Sequence, residues 1–341
     1  MGSGLSALEF RLLNDFQRDF PLLPRPFAAL AERLAVDEAC VLERLQSLTQ
    51  RGLVSRVGAV FRPNVVGVSA LAALAVPIDR LEAVASQVSA LPQVNHNYQR
   101  EHRFNLWFVV TASAPAQLQG VFQQIERDCG CGPVLVLPLL EQFHIDLGFT
   151  LAPSCSPGVQ NEVAAPREVA AIDLTAPERA LVALLQHGLP LVARPFAALG
   201  WAEAPAIELL TRWTASGVIK RFGVVVRHHE LGYTANAMVV WDVPDAQVSQ
   251  VGRRIAASGR VSLCYRRPRA LPHWPYNLFC MLHGKDRQAV EQQIASLTQA
   301  CELTAYPSAI LFSCRRFKQV GAHYVSSVDK QLLPELSHGS N

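Results

Sequence analysis

Arg25-Pro26-Phe27-Ala28-Ala29-Leu30 returns letter for letter as Arg194-Pro195-Phe196-Ala197-Ala198-Leu199, and each copy follows a Pro-Leu pair, Pro21-Leu22 and Pro190-Leu191. Six consecutive identities at this separation mark an internal duplication, and the landmarks downstream keep their order. Arg51-Gly52-Leu53-Val54-Ser55-Arg56-Val57-Gly58 parallels Ser216-Gly217-Val218-Ile219-Lys220-Arg221-Phe222-Gly223, and Gly67 parallels Gly232 at the same offset. Between the copies, 153–177 is rich in Pro, Ser and Ala without an amphipathic period, which suits a linker.

Each copy follows one plan. Leu8, Leu12, Leu13 and Phe16 recur at helical spacing, a second short helix is expected over 27–35, and a third over 37–50 with Val41, Leu42, Leu45 and Leu48 as its apolar face. Gly52 stops that helix, and the β-forming run 53–61 is expected to be a wing hairpin, completing a winged helix-turn-helix. After Gly67 the pattern changes to strand 70–76, helix 81–91, strand 94–100, strand 104–111, helix 115–127 and strand 134–140, a ferredoxin-like βαββαβ order that the second copy repeats over 233–311. The expected fold class is therefore α+β, a tandem duplication of winged helix-turn-helix plus ferredoxin-like βαββαβ units. The expected boundaries are 1–66 and 67–152 for copy 1, a linker over 153–176, 177–231 and 232–330 for copy 2, and a flexible tail over 331–341.

At 341 residues, half of them hydrophobic, the chain affords sizeable cores, and no apolar run reaches the ~18 residues of a membrane span. With no signal-peptide pattern, a cytoplasmic protein without membrane attachment is expected. The eight cysteines include one close pair, Cys129-Gly130-Cys131, and no metal-ligand spacing, so no metal site of its own is expected. A winged helix followed by βαββαβ resembles the Lrp/AsnC regulators, which makes a transcriptional regulator sensing a small molecule or tetrapyrrole the competing reading. Its recognition helix should offer cations to phosphates. Instead Asp37, Glu38 and Glu43 oppose Arg44 and Arg51 in copy 1, and Glu203 and Glu208 oppose Arg212 in copy 2, where Pro205 interrupts the helix. That balance argues against DNA as a partner.

Polar chemistry gathers between the two middle strands of each βαββαβ unit. Alternation along 94–100 puts His96, Tyr98, Arg100 and, if the strand persists, His102 on one face. In copy 2, Tyr265 and Arg267 answer Tyr98 and Arg100, and Asn277-Leu278 answers Asn105-Leu106, but Leu263 replaces His96. Over 260–287 five arginines and Lys285 face the single Asp286, a local net of +5 that calls for an anionic ligand. A second basic group, Arg315-Arg316-Phe317-Lys318, follows the last strand, opposite Gln142-Phe143-His144 in copy 1.

These segments, His96-Asn97-Tyr98-Gln99-Arg100 with Asn105-Leu106-Trp107, Cys264-Tyr265-Arg266-Arg267 with Trp274-Pro275-Tyr276-Asn277-Leu278-Phe279, Phe143-His144-Ile145-Asp146-Leu147-Gly148 and Ser313-Cys314-Arg315-Arg316-Phe317-Lys318, resemble the signatures of siroheme decarboxylases across both halves. The resemblance implies removal of carbon dioxide from two acetate side chains of siroheme to give didecarboxysiroheme, and the fused form resembles the haem d1 branch. It implies siroheme and its products as ligands, other haem d1 pathway proteins as partners, pairing of the two halves and room for a homodimer of the chain. It implies no cofactor beyond the iron that siroheme carries, because the macrocycle itself can hold the electron pair left by carbon dioxide. A flat apolar macrocycle edged with carboxylates needs apolar walls and guanidinium forks. On this reading His96 and His102 are the acid candidates, with Tyr98 and Arg100 orienting them, and ligation of the substrate iron is the other role open to a histidine. Substrate binding falls to His144, Tyr265, Arg266, Arg267, Arg269, His273, Trp274, Arg315, Arg316 and Lys318.

Overall fold

The computed structural model describes residues 5–145, 169–227, 230 and 232–325. Most of the expected linker, the Asp146-Leu147-Gly148 part of the signature and the expected tail lie outside the described residues.

The helical units begin with the same device. Ser6 caps α1 (Ala7–Asp15) and Thr175 caps α6 (Ala176–Leu185), each in a reciprocal box with a glutamate three residues on, Glu9 or Glu178. The repeated Arg-Pro-Phe opens α2 (Pro26–Leu34) and α7 (Pro195–Ala198) with proline in the first turn, where its missing N–H costs nothing. The arginine before it has a structural duty in both copies. Arg25 pairs with Glu38 at the start of α3 (Glu38–Gln50), and Arg194 pairs with Glu203 at the start of α8 (Glu203–Ser216). Pro205 does not interrupt α8, contrary to expectation, because it falls within that helix's first turn.

The wings also differ from expectation. Neither copy forms a hairpin: each contributes one strand, β1 (Val54–Phe61) and β7 (Ile219–Val226), and the two pair antiparallel with Gly58 opposite Gly223. Neither run contains a turn, so the backbone groups of each strand are satisfied across the duplication. Further bonds seal the ends, Arg62 N–H to Val218 O and Arg227 N–H to Leu53 O, both 2.9 Å. The two helical units accordingly share one core, in which Phe20 meets Phe222 at 5.9 Å and Phe61 meets Trp213 at 6.1 Å between ring centroids.

Glycine is required at the crossing. A Cβ on Gly223 would lie 2.4 Å from Phe16 O and 2.6 Å from Gln17 O, backbone atoms that cannot turn aside, whereas one on Gly58 would lie 3.3 Å from Gly188 Cα. Gly223→Ala is therefore expected to destabilise the protein by about 1–3 kcal/mol and Gly58→Ala by clearly less. Denaturant melts of the two variants check this order, and equal losses would refute it.

The βαββαβ units run β2 (Val68–Leu74), α4 (Leu81–Ala90), β3 (Val94–Arg100), β4 (Leu106–Ala112), α5 (Pro115–Cys129), β5 (Leu135–Pro138), and then β8 (Ala235–Trp241), α9 (Val248–Ala257), β9 (Leu263–Arg266), β10 (Leu278–Gly284), α10 (Arg287–Ala300), β11 (Ser308–Gln319). A short extra strand, β6 (Glu141–Ile145), continues from β5. All the strands of these units join one sheet in the order β5-β2-β4-β3-β11-β8-β10-β9-β6. Each copy lends its last strand to the other: β11 pairs with β3, bringing Gln319 opposite His96, and β6 pairs with β9, bringing Ile145 opposite Leu263. Phe143 thereby enters the helix-side core of copy 2, over Gly252, while Phe317 packs on that of copy 1. Because β5 and β6 are consecutive in the chain yet terminate opposite ends of the strand order, the sheet curls on itself. Its inner side is filled by Trp107, Leu137, Met238, Trp274, Phe279 and Leu311 among others.

A candidate active site between the wing ribbon and the sheet

The inner side of β3 carries the predicted histidine, tyrosine and arginine. A register shift between Val94 and His96 bulges the strand and sets Asn95 beside His96. Asn95 gives its amide nitrogen to Thr111 Oγ1 at 2.7 Å, so its oxygen faces His96 Nδ1 at 2.8 Å. That oxygen accepts from Nδ1–H and leaves Nε2 as the basic position of the neutral ring. Asn95 was not anticipated, because strict alternation assigns it to the opposite face. The Tyr98 ring lies nearly parallel to His96 at 6.3 Å. Desolvation pushes the His96 imidazole down to about 4.

Arg100 and its counterpart Arg267 are 7% and 9% exposed. Arg100 donates to Leu311 O at 3.1 Å and to Asn236 Oδ1 at 3.4 Å, over the Tyr98 ring; Arg267 donates to Leu137 O at 2.5 Å, 4.8 Å from the Tyr265 ring centroid. Among the described residues neither forms an ion pair, and Nε of Arg267 has no hydrogen-bond partner. Desolvation lowers both, Arg100 to about 10, and raises the Tyr98 and Tyr265 phenols. Two buried guanidiniums resting on carbonyls and ring faces are a costly arrangement that an anion would relieve. His283 on β10, hydrogen-bonded to Ser262 Oγ at 3.0 Å, is likewise pushed to about 4 by burial and by nearby Arg100.

The other predicted residues are not gathered here. β3 ends at Arg100, so His102 lies in the turn beyond it, at the opposite end of the strand from His96; its Nδ1 accepts from Phe104 N–H at 3.0 Å and its ring meets Trp274 at 5.4 Å. Trp274 is fully buried among Trp107, Phe104, Tyr276 and Phe279, offering no face to a ligand. His273 is exposed in the same loop, and His144 sits on β6 opposite Cys264.

The basic clusters are largely neutralised by acids from elsewhere in the chain. Arg266 pairs with Asp245, Arg269 with Asp242 and Asp245, Arg287 with Glu101, Arg315 with Glu82, and Arg316 with Glu230. Lys318 donates to Ser89 O and Leu91 O at the end of α4, where a cation is favoured by the helix dipole. A charge count along a window of sequence cannot see acids that other strands deliver.

The open space lies elsewhere than in those clusters. A cleft separates the β1–β7 ribbon from the sheet, with His96 on its sheet side and Arg56, Lys220, Arg221, Arg227 and Tyr324 around it. These wing cations are not among the residues that the sequence singles out. The signal was present, since Arg56 and Arg221 occupy equivalent positions of the repeat, but it is legible as scaffold until the ribbon is seen to roof a cavity.

The duplicated helical and βαββαβ units define an Lrp/AsnC-type architecture, with a cleft that gathers His96 and cations from both copies. Comparison with known proteins agrees. The AsnC-like ligand binding domain matches residues 66–144 and 230–318, and the siroheme decarboxylase NirDL-like HTH domain matches 9–54 and 178–220. The chain is 45% identical to the siroheme decarboxylase NirDL subunit of Paracoccus denitrificans (strain Pd 1222) over 93% of this chain and 97% of that one. A crystal structure of the siroheme decarboxylase NirDL superposes with a TM-score of 0.68 at 31% identity, covering 95% of this chain and 98% of that one. One of NirDL with an iron-uroporphyrin III analogue gives 0.67 at 30% identity, covering 95% of each. The chain belongs to the siroheme decarboxylase family.

Proposed function

We propose that the protein removes carbon dioxide from two acetate side chains of siroheme, giving didecarboxysiroheme for haem d1 biosynthesis in the cytoplasm. The observation that carries this is the cleft that brings half-buried His96 together with cations from both copies. In each step the bond between the acetate methylene and its carboxyl carbon breaks, carbon dioxide leaves, and the electron pair stays on the methylene carbon, conjugated with the macrocycle. One proton delivered to that carbon completes a methyl group. No cofactor beyond the substrate's own iron is needed on this reading.

His96 is the acid. In the free protein it is a neutral imidazole, held through Nδ1 by Asn95. The carboxylates that edge the bound macrocycle favour the imidazolium, since a neighbouring opposite charge raises the histidine's affinity for a proton. Tyr98 and Arg100 line the same side of β3 and orient the anionic edge of the macrocycle. Arg267 and Tyr265 are the corresponding pair from copy 2, where Leu263 leaves no second histidine on β9. The paired wings speak against the regulator reading: the strands that would reach for phosphates are spent on each other.

Anaerobic incubation with siroheme followed by mass spectrometry tests the proposal. Successive loss of two carbon dioxide units is expected. Unchanged pigment would overturn it.

A further inference from the structure

The wing strands each carry an arginine at the third position, Arg56 and Arg221, and another just past the end, Arg62 and Arg227. Duplicated arginines elsewhere have visible structural work, as Arg25 and Arg194 do with their glutamates. Arg56 does not. Its guanidinium donates to Ala59 O at 3.1 Å, its buried Nε has no partner, and among the described residues it meets no carboxylate. Tyr324 beside it supplies no counter-charge, because burial pushes that phenol up to about 12. Gly321 leaves room for the guanidinium, since a Cβ there would come 2.7 Å from Arg56 Nη1. Arg227 borders the same cleft and forms no ion pair among the described residues. Arg221 joins them from the facing strand, with one Nη on Gln17 O.

Chemistry decides which carboxylates these forks can take. A guanidinium that grips a carboxylate bidentately stabilises its full negative charge, and decarboxylation disperses that charge into the macrocycle. Holding the departing group in this way would stabilise the ground state more than the transition state and slow the reaction. Arginines in a decarboxylase cleft therefore belong on the carboxylates that stay.

We propose that the wing ribbon is a specificity clamp: Arg56, Arg221 and Arg227 hold carboxylates of the tetrapyrrole that the reaction leaves in place, and so fix which acetate reaches His96. This rests on the decarboxylase reading for its substrate, while the anion-binding role stands on the cleft alone. The test uses the full chain with Arg56→Gln, Arg221→Gln and Arg227→Gln, and the lysine variants at the same positions. Absorbance titration with iron uroporphyrin reads affinity, and siroheme turnover with product mass spectrometry and NMR reads which acetates are lost.

Each glutamine variant is expected to bind roughly tenfold to a hundredfold more weakly, the range for one buried charge-assisted contact, and to release singly decarboxylated or mis-positioned products. Lysine should recover part of the affinity but not the product pattern, because it keeps the charge and loses the fork. Should a glutamine variant fail to fold, the lysine variant carries the same comparison. Unchanged affinity and product pattern at all three positions overturn the clamp. If the unmodified chain leaves siroheme intact, the decarboxylase reading falls, and the clamp is then decided by the uroporphyrin titration alone.

Discussion

Replacing His96 with alanine is expected to lower siroheme turnover about 10²–10⁴-fold, the usual worth of a positioned acid, while binding of the macrocycle changes far less. The low affinity of the free imidazole for a proton gives this prediction a second arm. The required form is protonated, and in the free protein it is populated only near and below about pH 4. Thus kcat/KM, which reports the free protein, should decline as pH rises from that region. The value for kcat should hold to higher pH, because the carboxylates of the bound macrocycle stabilise the imidazolium. Asn95→Ala should move the kcat profile as well, since it frees the ring's tautomer without touching substrate. Full turnover in the alanine variant at position 96, or coincident profiles for kcat and kcat/KM, would remove His96 from the role.

Trp274→Ala is expected to cost about 3–5 kcal/mol in denaturant unfolding, the range for deleting a fully buried aromatic. The indole fills the inner side of the sheet at the end away from His96, with Trp107 and Tyr276 each 5.1 Å away and His102 at 5.4 Å. Its Nε1 has no hydrogen-bond partner, so Trp274→Phe should recover much of the loss by removing an unsatisfied donor along with part of the volume. A loss below about 1 kcal/mol for the alanine variant would mean that Trp274 does not anchor the inner core of the sheet.

These cases also separate what sequence can say from what it cannot. Features set within a few residues were legible: the span of β3, the βαββαβ order, and the shared face of His96, Tyr98 and Arg100. Those that depend on a distant partner were not. The wing run 53–61 has β propensity, but only the second copy decides whether it folds back or pairs outward. Arg266, Arg269, Arg315 and Arg316 read as ligand-seeking in sequence because Asp242, Asp245, Glu82 and Glu230 are remote in the chain. Trp274, which the resemblance places among the substrate-binding residues, sits in a loop that folds inward and closes the core.

The lending of last strands between copies has a consequence for assembly. Apart from its mate, either half would present a bare strand, β3 or β9, with a row of unsatisfied amides and carbonyls open to any passing chain. Two first halves could cover each other in the same way and would carry two imidazoles; two second halves would carry none at that position, Leu263 standing in both. Joining the halves in one polypeptide raises the local concentration of the correct mate and makes self-pairing of like halves uncompetitive. Covalent continuity thus acts as quality control on stoichiometry, guaranteeing one histidine strand and one leucine strand in every molecule.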